Sequence, residues 1–250
     1  MLDGPENQLG KLPRSWRLLC LDEIKASEKR ALISGPFGSN ISAKYFVDSG
    51  IPVIRGNNLS LSLSEKFKDT GFVYITKEKA EELNTYAVSG DLLFTAVGTI
   101  GQVGLLTGNE IFNKYIISNK QIRLRVDENE ILPIFAYYWL ASPIVIEMIK
   151  QRNTGSSVPL INLSVLKSLP IPVPPLTEQK AIATVLSSLD DKIDLLQRQN
   201  KTLEAMTETL FRQWFFEGAR EDWQTGPLGE FVDIGIGRTP PRKEHQWFSE

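Results

Sequence analysis

Between Pro175 and Gly218 the chain contains neither proline nor glycine. Just before that run lies Ile171–Leu176, IPVPPL, with three prolines in five residues. Proline fixes φ and removes a backbone donor, so residues 170–176 predict an extended strut that cannot serve as a central strand. Thr177 is placed to cap a helix over 177–217, with Glu178 in its first turn and Arg212 in its last. Gly218 suits the position just past its end. Within the run, Ile182, Leu186, Leu189, Ile193, Leu196, Leu203, Leu210 and Trp214 fall on alternating steps of three and four, and Asn200 and Thr207 hold two further seam positions. With Leu189, Leu196, Leu203 and Leu210 as d, the a positions are Leu186, Ile193, Asn200, Thr207 and Trp214. About five heptads with a single Asn at a is a coiled-coil pattern, in which the Asn gives up stability for register. About 40 residues at about 1.5 Å each form a rod roughly 60 Å long. A domain of this size cannot cover such a seam, so the pattern predicts a partner helix. The plainer alternative is an amphipathic helix lying on its own domain.

The stretch before the strut, residues 14–169, reads as strand-rich with short helices. Pro52–Gly56, Phe72–Ile75, Asp91–Val97, Gln102–Leu106, Tyr115–Ser118 and Gln121–Val126 are short β-branched or aromatic runs separated by turn residues. Lys77–Leu83 carries helix formers. Pro133 and Pro143 are each placed to open a helix, the second capped by Ser142, and Asn162–Leu169 predicts one or two helical turns. The fold class is therefore α+β: a strand-rich domain, a long coiled-coil helix, and a further segment over 218–250. That segment begins as the chain itself does. Trp16–Ile24 (WRLLCLDEI) and Trp223–Phe231 (WQTGPLGEF) share Trp, then Leu five, Glu seven and an apolar residue eight positions on. A tandem layout of unit, rod and unit follows, the second unit cut short at Glu250.

Chemistry is limited by what is scarce. The chain of 250 residues has one Cys, Cys20, and one His, His245. It can form no internal disulfide and no Cys/His zinc site, and a Ser-His-Asp arrangement would depend on His245 alone. Ser34–Asn40 (SGPFGSN) lacks the Lys-Ser/Thr pair of a P-loop, and Gly98–Gly104 (GTIGQVG) is not a dinucleotide fingerprint. Neither Pro174–Pro175 nor Pro240–Pro241 has the context of an amino-methyltransferase motif. The net charge is −2, so nucleic acid could be held only at a local arrangement and not by bulk charge. No signal peptide and no apolar run of about 18 residues is seen, which predicts no membrane span and a cytoplasmic protein. Cys20 is expected in the core, His245 at a surface or turn, and Trp214, Phe215 and Phe216 as packing anchors.

The sequence resembles the specificity subunit of type I restriction–modification systems. The resemblance is carried by Gly35–Asn40, Gly50–Leu59, Gly90–Leu106, Ser168–Leu196 and Leu210–Phe215, and by Pro227–Phe248, which looks like the opening of a second recognition domain. The strut followed by TEQKAIATVLSSLDDKI is the most specific piece. The resemblance implies a target-recognition domain and a first conserved helix. In the family two such domains are joined by two antiparallel helices that bind methyltransferase (M) subunits, and restriction (R) subunits complete the complex. It also implies that the chain reads half of a bipartite site in double-stranded DNA, catalyses nothing itself and binds no cofactor. Two alternatives stay open: a half-subunit that forms a homodimer through the long helix to read an interrupted palindrome, and an oligomerisation protein with no DNA role.

Arg or Lys suits guanine, and Asn or Gln suits adenine, in the major groove. The candidates are Lys44, Arg55, Asn57, Asn58, Lys114, Asn119, Lys120, Gln121 and Arg152, with Ser39 and Thr99 in Gly-rich turns whose backbone could approach phosphate. The plainer alternatives are an Asn-rich turn bonding its own backbone and turns whose glycines only supply positive φ. Lys114, Lys120, Arg123 and Arg125 form a basic cluster; since Arg123 and Arg125 share one strand face, the plainer alternative is a solvated sheet surface.

Overall fold

The computed structural model describes residues 12–220, 222–233, 235 and 237; His245 and the Pro240–Pro241 pair lie outside them. Ten strands and five α-helices follow in the order β1 (Arg17–Cys20), β2 (Leu32–Ser34), β3 (Ile51–Ile54), β4 (Val73–Ile75), α1 (Lys77–Leu83), β5 (Tyr86–Ala87), β6 (Leu92–Thr95), β7 (Val103–Leu105), β8 (Tyr115–Ile117), β9 (Gln121–Leu124), α2 (Pro133–Leu140), α3 (Pro143–Gln151), α4 (Leu163–Lys167), β10 (Pro170–Val173) and α5 (Leu176–Arg212).

The strands make two four-stranded sheets, β2-β9-β6-β7 and β4-β3-β8-β5, and a β1-β10 ribbon. All pairings are antiparallel except β3 with β8. Alternation along the strands sorts the core into layers. Leu92, Phe94, Ile122 and Leu124 face α2 and α3, whereas Leu93 meets Ile54, Tyr115 and Ile117 of the other sheet. Val53, Ile75 and Ile116 point away from that contact onto Ala80 and Leu83 of α1. Strands covered on both faces read as continuous apolar runs rather than alternating ones, which is how they appear in the sequence.

The ends of several elements follow their caps. Thr76, Ser142 and Asn162 accept backbone N–H groups at the starts of α1, α3 and α4. Thr177 is not the cap of α5. The helix begins one residue earlier, and the N–H groups of Glu178 and Gln179 donate to the Pro175 carbonyl. Pro175 ends the extended strut and its carbonyl does the work assigned to the Thr177 side chain. At the other end the last turn widens to a π-turn over Gln213–Glu217, closed by Gly218 N–H on the Gln213 carbonyl at 2.7 Å.

The strut is not a free linker. As β10 it is buried and paired with β1, with Pro170 and Pro172 opposite Cys20 and Leu18. Prolines at alternate positions leave the Ile171 and Val173 N–H groups to face the partner, so the missing donors fall on one edge. Cys20 is only half-buried there, and burial raises its thiol pKa.

Residues up to Leu196 form one compact unit and those from Gln197 a second, so the first unit includes the strut and the beginning of α5. Gln179 is fully buried. Its Oε1 accepts the Leu132 N–H at 2.8 Å and its Nε2 donates to the Glu130 and Pro174 carbonyls at 2.9 and 2.8 Å. Asp190 accepts from Lys66 Nζ and from the Tyr138 hydroxyl, both at 2.6 Å. Burial would lower the Lys66 pKa, but its bonds to Asp190 and Tyr138 outweigh that and leave it raised. Ile182 and Leu186, assigned to the partner seam, pack instead on the domain's own core. The rest of the seam stays exposed: Leu189, Ile193, Leu196, Leu203, Leu210 and Trp214, as does Asn200. The helix thus divides its apolar face between its own domain and solvent.

In the second unit the Phe211 and Phe215 rings meet at a tilt, 4.7 Å apart, and Phe215 meets Trp223 at 5.9 Å. Trp214, Phe215 and Phe216 nevertheless remain exposed among the described residues. No helix among the described residues is long and apolar enough to cross a membrane.

Candidate nucleic-acid interface

Where β3, β6 and β8 end and β9 begins, their loops enclose a cleft of about 570 Å³. Five of the predicted residues line it: Arg55, Asn57, Thr99, Asn119 and Lys120. They come from three loops far apart in sequence, brought together by the sheet order.

The β8–β9 turn carries Asn119 and Lys120. Ser118 N–H donates to the Ile54 carbonyl at 2.9 Å, and Gln121 N–H to the Ser118 carbonyl at 3.1 Å. Beneath the turn, the Gln121 side chain is fully buried. In the orientation its neighbours require, its amide donates to the Ser118 hydroxyl and the Ile54 carbonyl and accepts the Gly56 N–H. Gln121 is thus a structural tie between two of the loops and not a base reader. Asn119 and Lys120 are exposed. Among the described residues neither side chain has a hydrogen bond or ion pair.

The Arg55–Asn58 turn divides the same way. Asn58 is fully buried. Its Oδ1 accepts the Arg55 N–H at 3.0 Å, and its Nδ2 donates to the Lys68 and Thr70 carbonyls, each at 2.9 Å. For Asn58 the self-bonding turn is therefore correct, and base reading is not open to it. Asn57 is exposed and touches the Gly71 carbonyl at 3.3 Å; the Arg55 guanidinium reaches the same carbonyl at 3.2 Å. Gly71 belongs to a loop stiffened by Tyr115, whose hydroxyl donates to Asp69 at 2.7 Å.

Thr99 sits between Gly98 and Gly101, both at φ above +90°, where glycine is needed for the backbone. The Gly98 N–H is already engaged by the Pro159 carbonyl at 2.9 Å. The floor is closed by Gln102, which accepts from Thr95 and donates to the Leu59 carbonyl, both at 2.8 Å. The glycines of Gly35–Asn40 are not at positive φ. A Cβ on Gly35 would lie 1.8 Å from the Ser118 carbonyl oxygen, so only glycine lets this segment abut the β8–β9 turn. Ser39, on that segment, is exposed beside Asn40.

Besides Ser39, Asn58 and Gln121, three candidates lie outside the lining. Lys44 covers the Tyr45 ring, Lys114 covers Tyr86 at the opposite end of β8, and Arg152 leans on the Ser168 carbonyl at the end of α3. Arg123 and Arg125 are not a solvated face. Arg125 grips the fully buried Asp91 with two bonds, at 2.8 and 2.7 Å, and Glu28 with a third at 2.7 Å. Arg123, with a side chain only 4% exposed, lies 3.6 Å from Asp91. Burial lowers the Arg123 pKa, whereas the Asp91 hydrogen bonds raise that of Arg125. No cluster of three or more His, Cys, Asp and Glu that could hold a metal occurs among the described residues.

Paired sheets carry exposed amide and ammonium groups in a loop cleft, and the start of a long helix packs on the same domain, an arrangement suited to recognition. The family model described as "Type I restriction modification DNA specificity domain" matches residues 13–205, and the chain belongs to that family. It is 25% identical over 257 residues to the type I restriction enzyme MjaIX specificity subunit of Methanocaldococcus jannaschii, covering 96% of this chain and 56% of that protein. It is 24% identical over 211 residues to the EcoKI specificity subunit of Escherichia coli, covering 84% and 43%. Among solved structures, the type I S subunit from M. genitalium superposes with a TM-score of 0.56 at 19% identity, covering 94% of this chain and 58% of that one. The HsdS subunit from Thermoanaerobacter tengcongensis gives 0.53 at 18%, covering 86% and 47%. These structures share the fold. The chain spans about half the length of the relatives it matches.

Proposed function

We propose that the chain reads the sequence of double-stranded DNA within a type I restriction–modification complex, without catalysis or a cofactor of its own. The observation that carries this reading is the pair Asn119 and Lys120. Among the described residues their side chains have no hydrogen bond or ion pair, yet the turn beneath them is held by the buried Gln121. A carboxamide suits adenine N6 and N7, and an ammonium suits guanine O6 and N7. Arg55, Asn57 and Thr99 add donors around the same cleft. Methyltransferase subunits are the partners for the exposed seam of α5, with restriction subunits joining the assembly. A helix of 37 residues is about 55 Å long at about 1.5 Å per residue. That is enough to separate two readers by more than one DNA turn of about 34 Å. Such a complex acts in the cytoplasm, where the DNA is.

Asn119→Ala tests the reading by competition binding to duplexes that differ at single base pairs. Discrimination at one position should fall by about 1–3 kcal/mol, the worth of a bidentate contact, with the other positions unchanged. Asn58→Ala should weaken every sequence alike, because it frees the Lys68 and Thr70 carbonyls and the loop behind the cleft. Lys114→Ala, at the far end of β8, should do neither. A uniform loss for Asn119→Ala would show that it shapes the loop and reads no base.

A further inference from the structure

Phe37 is the most exposed large hydrophobic side chain among the described residues, at 84%. A lone exposed apolar group is common and means little by itself. This one stands on a rigid rim of the cleft. Pro36 precedes it, its own backbone is extended at φ −57° and ψ 144°, and its carbonyl accepts the Asn40 N–H at 2.8 Å. The short turn that follows ends in Ile41, which is buried and lines the cleft. On one side Gly35 N–H donates to the Gln121 carbonyl at 2.8 Å. On the other, a Cβ on Gly38 would lie 3.0 Å from Asn119 Nδ2. Phe37 is thus held between two glycines that both abut the turn bearing Asn119 and Lys120. It cannot withdraw into the core without breaking those contacts.

We propose that Phe37 covers the 5-methyl group of a thymine in the half-site that Asn119 reads. The inference rests on the DNA-reading role proposed above. In the major groove the thymine methyl is the apolar group that a base pair presents. A ring already fixed by its loop loses little freedom on covering it. Contact with the methyl would remove the apolar ring from water and read the thymine itself, which amide and ammonium groups directed at purine edges do not.

Uracil in place of thymine deletes that methyl and nothing else. The test uses the full chain with its methyltransferase partner on the duplex it selects. Exchanging each thymine in turn should weaken binding about fourfold at one position, the worth of one buried methyl. Phe37→Ala should weaken the thymine duplex by a similar factor and lose its sensitivity to that uracil. Since the ring is exposed, the variant should keep the wild-type melting curve. Phe37→Leu, still apolar, should keep part of the sensitivity. The proposal is overturned if no thymine is uracil-sensitive, if Phe37→Ala keeps the full sensitivity, or if the half-site holds only G·C pairs. It is also overturned if 2-aminopurine fluorescence reports an unstacked base step that Phe37→Ala restores, since the ring would then be a wedge. A wild-type chain that selects no sequence at all refutes the DNA-reading role, and that outcome is seen before any uracil is introduced.

Discussion

Asp91→Ala should lower the stability of the first unit by about 3–5 kcal/mol, the usual cost of removing one partner from a buried ion pair. The carboxylate is fully buried and takes two hydrogen bonds from Arg125 and one from the Val88 N–H at 2.8 Å. It also faces the Arg123 guanidinium at 3.6 Å. Without it, two cations that share one strand face remain side by side, with only the half-exposed Glu28 between them. Arg123 already has a buried Nε without a partner, so the site has no spare acceptor to offer. Urea denaturation of the variant against the wild type measures the loss. Glu28→Gln, at the wet edge of the same network, should cost much less. A loss under about 1 kcal/mol for Asp91→Ala would mean that water or a rearranged side chain replaces the carboxylate, and that the network is not what holds β9 to β6.

Leu189→Lys combined with Leu196→Lys should abolish docking of a partner helix while leaving the chain folded. Both leucines are about half exposed in the single chain, so lysine there costs little before association. Once a helix covers the seam, two ammonium groups would be buried without counterions, at a cost of several kcal/mol. Light scattering reads self-association, and co-purification with the methyltransferase subunit reads the heterologous contact. Loss of either contact with an unchanged melting curve is the expected result, and whichever is lost identifies the partner. Unchanged behaviour in both assays would mean that the exposed seam is not an interface. Ile182→Lys should behave differently: that residue packs on the domain core, so the fold itself should weaken.

Much of the architecture could be read from local signals. Helix α1 runs over the residues whose composition predicted it, because Thr76 caps it and Asn84 ends it in the left-handed region. Pro133 and Pro143 open α2 and α3 for the same reason that proline suits a first turn. What escaped was set by partners distant in sequence. Periodicity places Arg123 and Arg125 on one face, but nothing in it shows that Asp91, some thirty residues upstream, lies beneath that face. The β1-β10 ribbon joins segments about 150 residues apart; the prolines exclude only a central strand, and their alternation leaves one edge able to pair.

The site shows the same limit more sharply. Asn57, Asn58, Asn119 and Gln121 are equivalent as residue types, and each could read a base or brace a loop. Two are buried braces, and of the two exposed ones Asn57 touches the Gly71 carbonyl while the Asn119 side chain has no hydrogen bond among the described residues, a distinction made only by the carbonyls that the fold brings to them. Nothing in the heptad pattern marks Gln179 and Asp190, yet they join the helix to its domain. Nothing in the sequence singles out Phe37, because the glycines around it suit a phosphate turn or a positive-φ turn alike. Their actual task is close approach, and it is that approach which fixes the ring at the rim.

The central claim is that the cleft reads a DNA sequence, and selection of duplexes from a randomised pool tests it most directly. The chain is incubated with its methyltransferase partner and the pool, and bound DNA is sequenced over successive rounds. A short half-site should emerge, and in the Asn119→Ala variant one of its positions should become indifferent while the others persist. A pool that returns with its starting composition, or a half-site identical in every position between wild type and variant, would contradict the account.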